Sequence, residues 1–96
     1  MKPSRVFHTH RAAIRGIVEA HRARNARVFG SVADGSDTDE SDLDILVDPT
    51  PETTLLDIGA IRHELRKLLG VPVDVLTPNA LPEKVRAAVL AAAMPV

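Results

Sequence analysis

Apolar positions recur along the 96-residue chain with two alternating periods, and those periods predict its elements. From Thr9 onward Ala13, Ile14, Ile17, Val18 and His21 return at helical spacing, a pattern that fades near Asn25. A short strand is predicted at Ala26 to Phe29, closed by Gly30-Ser31. A turn-forming stretch from Asp34 to Ser41, with room for a short helical turn, leads to a second strand from Asp42 to Val47. Pro49 and Pro51 end it. Leu55, Ile58, Ile61, Leu65 and Leu68 mark a long helix, capped by Thr53 or Thr54 and stopped at Gly70. Val71 to Leu76 form a third strand, and after Thr77-Pro78-Asn79 the residue Pro82 suits the first turn of a last helix with Val85, Ala88 and Val89 on its apolar stripe. The order α-β-β-α-β-α is that of an α/β (α+β) chain, a small mixed β-sheet flanked by helices. No repeat and no linker divides it, so residues 1–96 are expected to form a single domain.

Side chains alternate across a strand, which separates an aliphatic face from a charged one. Leu43, Ile45 and Val47 share one side of the second strand, with Asp42 and Asp44 on the other. In the third strand Val71, Val73 and Val75 face one way, and Asp74, its only charge, faces the opposite way. If both aliphatic faces pack against the helices and the two strands are neighbours, the three aspartates emerge on the same side of the sheet.

The net charge of −1 argues against a protein living on phosphate-backbone contacts, and two phenylalanines without tyrosine or tryptophan offer no platform for stacked bases. Direct nucleic-acid binding is therefore not expected. Without cysteine there are no disulfides, thiolate zinc sites or cysteine nucleophiles. No stretch reads as a signal peptide or a membrane span, so the cytoplasm is the expected location. His8, His10, His21 and His63 are too scattered for a zinc site.

Charge placement is more informative than net charge. Asp34, Asp37, Asp39, Glu40, Asp42, Asp44 and Asp48 crowd together, and no Lys or Arg occurs between Arg27 and Arg62. Asp37, Asp39 and Glu40 read as a solvated loop. The run from Asp37 to Asp48 lacks the turn glycine of a calcium loop, having Asp42 in its place. Asp42 and Asp44 have Cα atoms about 6.5 Å apart on a strand, so their carboxylates can converge on one hard cation such as Mg²⁺. Asp74 on a neighbouring strand would allow a second ion about 3.5 to 4 Å away, the two-metal arrangement of phosphoryl chemistry. Upstream, Gly30 permits close backbone approach to a phosphate, and Ser31 adds a hydroxyl donor. The apolar tail from Val85 to Val96 reads first as a core helix and second as a partner-facing surface.

Gly30-Ser31, ten intervening residues and Asp42-Leu43-Asp44 together resemble the GSx10DxD signature of the DNA polymerase β-like nucleotidyltransferases. The likeness extends through Arg27 to Ala33, Ser41 to Val47, the helix from Thr54 to Gly70, and Val73-Asp74-Val75. It is nearest to the minimal nucleotidyltransferases that act as antitoxins to HEPN-domain toxins. That resemblance implies a polymerase-β-palm-like core, with Asp42 and Asp44 as catalytic metal ligands, Asp74 completing the triad, and Gly30 and Ser31 at the nucleotide. It further implies two Mg²⁺ ions, ATP as substrate, and a hetero-oligomer with a HEPN-type toxin whose tyrosine hydroxyl receives AMP. A departure from the family pattern is Asp34 before Gly35, where relatives commonly carry arginine. It motivates the alternative of a weak or inactive antitoxin that neutralises its toxin by binding alone. An aminoglycoside-type adenylyltransferase is disfavoured, because those enzymes add a second domain for the acceptor.

Overall fold

The computed structural model describes residues 1–96. Two helices open the chain, α1 (Pro3–Thr9) and α2 (Arg11–Ala20). The first lies ahead of the predicted helical pattern, where only two large apolar residues signal it. Pro3 sits in its first turn, Val6 and Phe7 are buried, and the Ser4 N–H donates to Asp37 at 2.9 Å. Asp37 is thus not part of a solvated loop. It is 5% exposed, and its carboxyl is held below the ordinary range because hydrogen bonds from Ser4 and the charge of Lys2 outweigh the upward push of burial. In α2 the inward positions are Ile14 and Val18, one turn apart.

Strand β1 (Ala23–Phe29) begins three residues earlier than the apolar pattern suggests. A bulge between Arg24 and Arg27, with Asn25 at φ 54°, lets the polar Arg-Asn pair join the strand. A four-residue helix α3 (Ser31–Asp34) supplies the helical turn before β2 (Leu43–Pro49). Helix α4 (Leu55–Leu69) crosses to β3 (Val73–Leu76). Of its two candidate caps, Thr54 serves: Thr54 accepts from the Asp57 N–H at 3.2 Å, and Asp57 accepts from the Thr54 N–H at 2.9 Å. Asp57 takes the inward position of the first turn, so the buried stripe runs through Ile61, Leu65 and Leu69. The predicted stripe members Leu55 and Leu68 are instead exposed. Gly70, left-handed at φ 69°, ends the helix with its N–H on the Arg66 carbonyl.

The sheet order is β3-β2-β1-β4, with β2 and β3 parallel and the other pairs antiparallel. The edge strand β4 (Met94–Pro95) has no counterpart in the periodicity, being too short to alternate. Its continuation, Val96, is buried and donates its N–H to Ala26. Ala23, Ala26, Val28, Leu43, Ile45, Val47, Val73 and Val75 form the sheet's contribution to a 17-residue apolar cluster, which α1, α2 and α4 cover. The last helix, α5 (Glu83–Ala92), buries no residue, so the tail is not a core helix. The aliphatic face is already covered by α1, α2 and α4, and the short stripe of Val85, Ala88 and Val89 stays outside it.

Candidate functional site at the carboxyl-bearing face

Because β2 and β3 are hydrogen-bonded neighbours, the condition on the three aspartates is met. They pair in parallel with Leu43 beside Val73, Asp44 beside Asp74 and Ile45 beside Val75. The aliphatic members of each strand are buried, whereas Asp44 and Asp74 are half-exposed on the other side and Asp42 is exposed just ahead of β2. The hydrogen bond from Leu43 N–H to the Pro72 carbonyl, at 2.9 Å, anchors this end of the strand pair.

The third component arrives through β1. Its antiparallel register sets Phe29 opposite Asp44, so the turn that follows Phe29 begins beside that carboxylate. Gly30 adopts φ 69°, and a Cβ built on it would lie 2.5 Å from Asp44 Oδ2. Glycine is required here twice over, for the left-handed backbone and for contact with the aspartate. Ser31 then opens α3, half-buried. Residues 30–31, 42–44 and 74 are thereby gathered at one end of the sheet.

Asp44 carries the electrostatic signature of this gathering. Partial burial, followed by the negative charges of Asp74 and Asp42, pushes its carboxyl up to about 6. As they stand, the three side chains do not close into a ligating group. Asp74 leans toward Arg66, whose Nη2 is 3.9 Å from its Oδ1. The donor set nonetheless fits a hard divalent cation: it offers carboxylate oxygens only, and a cation would offset both the burial and the neighbouring charges that raise Asp44. Arg66 was not singled out from the sequence, although it and Asp74 flank the Gly70 turn at a separation of eight residues.

Asp34 ends α3, one turn beyond Ser31 and fully exposed to solvent. It accepts from both the N–H and the hydroxyl of Ser36, and those bonds hold its carboxyl below the ordinary range. A concavity of about 640 Å³, lined by residues that include Glu19, Arg22, Arg24 and Thr50, lies by the start of β1 and the end of β2. It is at the opposite end of the sheet from the aspartates. With Asp42 exposed and Asp44 and Asp74 half-exposed, the carboxyl-bearing site opens to solvent.

The model of the nucleotidyltransferase domain matches residues 12–94, which takes in every residue of this site. The chain belongs to the nucleotidyltransferase domain family. A relative from Methanocaldococcus jannaschii, named as a candidate protein adenylyltransferase, is 40% identical over 65 residues, or 68% of this chain and 70% of its own. A solved structure described as that of a candidate minimal nucleotidyltransferase superposes with a TM-score of 0.86 at 38% identity, covering 97% of this chain and 95% of its own. A toxin-antitoxin crystal structure with AMP-PNP superposes with a TM-score of 0.70 over 83% of this chain and 66% of its own. At 17% identity that likeness speaks for the fold. As a nucleotidyltransferase, the chain has the mixed sheet and flanking helices that the alternating pattern predicts. No helix is long and apolar enough to cross a membrane.

Proposed function

We propose that this nucleotidyltransferase is the antitoxin of a toxin-antitoxin pair and transfers AMP from ATP to a tyrosine hydroxyl on a HEPN-type toxin. The observation that carries the reading is the meeting of Asp44 with Asp74 in register, with Gly30 packed on the Asp44 carboxylate. Asp42, Asp44 and Asp74 are the residues that would hold Mg²⁺, two ions in all. Bound Mg²⁺ supplies neutralising charge for the triphosphate and lowers the pKa of the acceptor hydroxyl.

The remaining chemistry is assigned to the chain's own groups. Gly30 leaves room for a phosphate to approach the backbone, and the Ser31 hydroxyl donates to it. The acceptor oxygen bonds to the α-phosphorus as the bond to the bridging oxygen of the β-phosphate breaks, releasing pyrophosphate. Asp74, half-exposed on the edge strand β3, accepts the hydroxyl proton. An open face admits the tyrosine of a folded protein, and a toxin-bound hetero-oligomer in the cytoplasm, where ATP is supplied, is the working assembly. The fold shared with a toxin-antitoxin structure holding AMP-PNP supports this setting.

A second reading has its own observation. The anion Asp34 stands one turn from Ser31, where a cation would favour a triphosphate, so the chain would neutralise its toxin by occlusion alone. Incubation with α-labelled ATP, Mg²⁺ and the HEPN protein decides between them. Label on the toxin, lost in Asp42→Asn, supports transfer. Full neutralisation without label supports occlusion.

A further inference from the structure

We infer that Arg66 is a positioning residue for Asp74, a role that rests on the reading of Asp74 as part of the site. Arg66 occupies the last turn of α4, and its backbone is fixed there because its carbonyl accepts the Gly70 N–H at 3.0 Å. Its side chain reaches across the turn to β3. Nε donates to the Val73 carbonyl at 3.0 Å, and Nη2 approaches Asp74 Oδ1 at 3.9 Å. One guanidinium thus bonds the backbone carbonyl before Asp74 through Nε and faces the Asp74 carboxylate through Nη2, two nitrogens held in one fixed plane.

The grip answers a problem set by the strand register. Asp44 and Asp74 are side by side, and Asp42 is two residues from Asp44, so Asp74 shares its end of the sheet with two other carboxylates. Its side chain is 50% exposed. A cation tethered to the same strand selects one orientation of that carboxylate. With both partners well exposed, the pair adds little to stability. Its consequence is the direction in which the Asp74 oxygens are presented.

Two measurements test the assignment. In metal-free protein carrying ¹³C-carboxyl aspartate, the Asp74 signal is identified by its loss in Asp74→Asn. Arg66→Gln should shift or broaden that signal more than those of Asp42 and Asp44, with the melting temperature close to wild type. In transfer assays with α-labelled ATP and the toxin, Arg66→Gln should lower kcat by about 10- to 100-fold with little change in the KM for ATP. Arg66→Lys should not fully restore it, because a single ammonium nitrogen on a flexible stem lacks the fixed planar spacing of Nε and Nη2. An Asp74 signal unmoved by Arg66→Gln overturns the inference, whether or not the protein transfers AMP. Full rescue by lysine also overturns it, since that would make the charge alone sufficient. If wild type labels no toxin, the proposed function fails, and the carboxyl signal still decides the role of Arg66.

Discussion

Replacing Asp44 by asparagine should stabilise the metal-free protein while abolishing transfer. The carboxyl rises from an ordinary 3.8 to about 6, through burial first and then the charges of Asp74 and Asp42. At about 1.4 kcal/mol per tenfold change in proton affinity, the ionised form is disfavoured by about 3 kcal/mol in the folded chain. Because Asp44 is partly open to solvent, screening reduces this to roughly 1 to 2 kcal/mol. A carboxyl whose folded pKa is raised contributes stability that is fully present below its unfolded value and lost as pH rises through the folded one. The wild type thus carries the whole penalty at pH 7.5, and asparagine carries none. For a chain of this size, each kcal/mol moves the melting temperature by about 4 to 8 °C. Calorimetry in EDTA at pH 7.5 should place Asp44→Asn about 5 to 15 °C above wild type, with the gap closing toward pH 4. Asp34, Asp37 and Asp57, whose carboxyls are lowered and which lose stability as pH falls, are common to both proteins and cancel in the difference. Mg²⁺ with a non-hydrolysable ATP analogue should then raise the wild-type melting temperature and leave the variant unmoved. A variant that melts at or below wild type at pH 7.5 in EDTA refutes the reasoning that burial and crowding together penalise the Asp44 carboxylate.

Gly30→Ala should lose most transfer activity, because its Cβ would displace the Asp44 carboxylate, and about 1 to 3 kcal/mol of stability, because φ 69° with ψ −145° is a backbone region held almost only by glycine. Activity and denaturant titration together check it, and wild-type kcat would remove Gly30 from the site. Asp37→Ala should cost about 1 kcal/mol, the value of a capping hydrogen bond, and fray α1 with no change in the KM for ATP; amide exchange at Val6 and Phe7 reads this out. Asp34→Arg should tighten ATP binding, most clearly at low salt, because it exchanges an exposed anion one turn from Ser31 for a cation. Equal affinity across a salt series would show that this turn does not face the triphosphate.

Much of the site is legible in the linear chain because alternation is a local property. Leu43, Ile45 and Val47 must be buried together, which obliges Asp42 and Asp44 to face away, and the same parity turns Asp74 outward. Thr54 and Gly70 bracket α4 through capping chemistry that acts within one turn. What periodicity leaves open is which strands are neighbours and in what register, since those depend on contacts between residues dozens of positions apart. Only the assembled sheet sets Asp44 beside Asp74 and brings Gly30 onto the Asp44 carboxylate. Asp37 looked solvated because its partner, the Ser4 N–H, lies 33 residues away. The exposure of α5 was likewise undetermined locally. An apolar stripe states that a helix has a face to bury, but α1, α2 and α4 had already covered the aliphatic side of the sheet, and that competition is settled by three-dimensional packing alone.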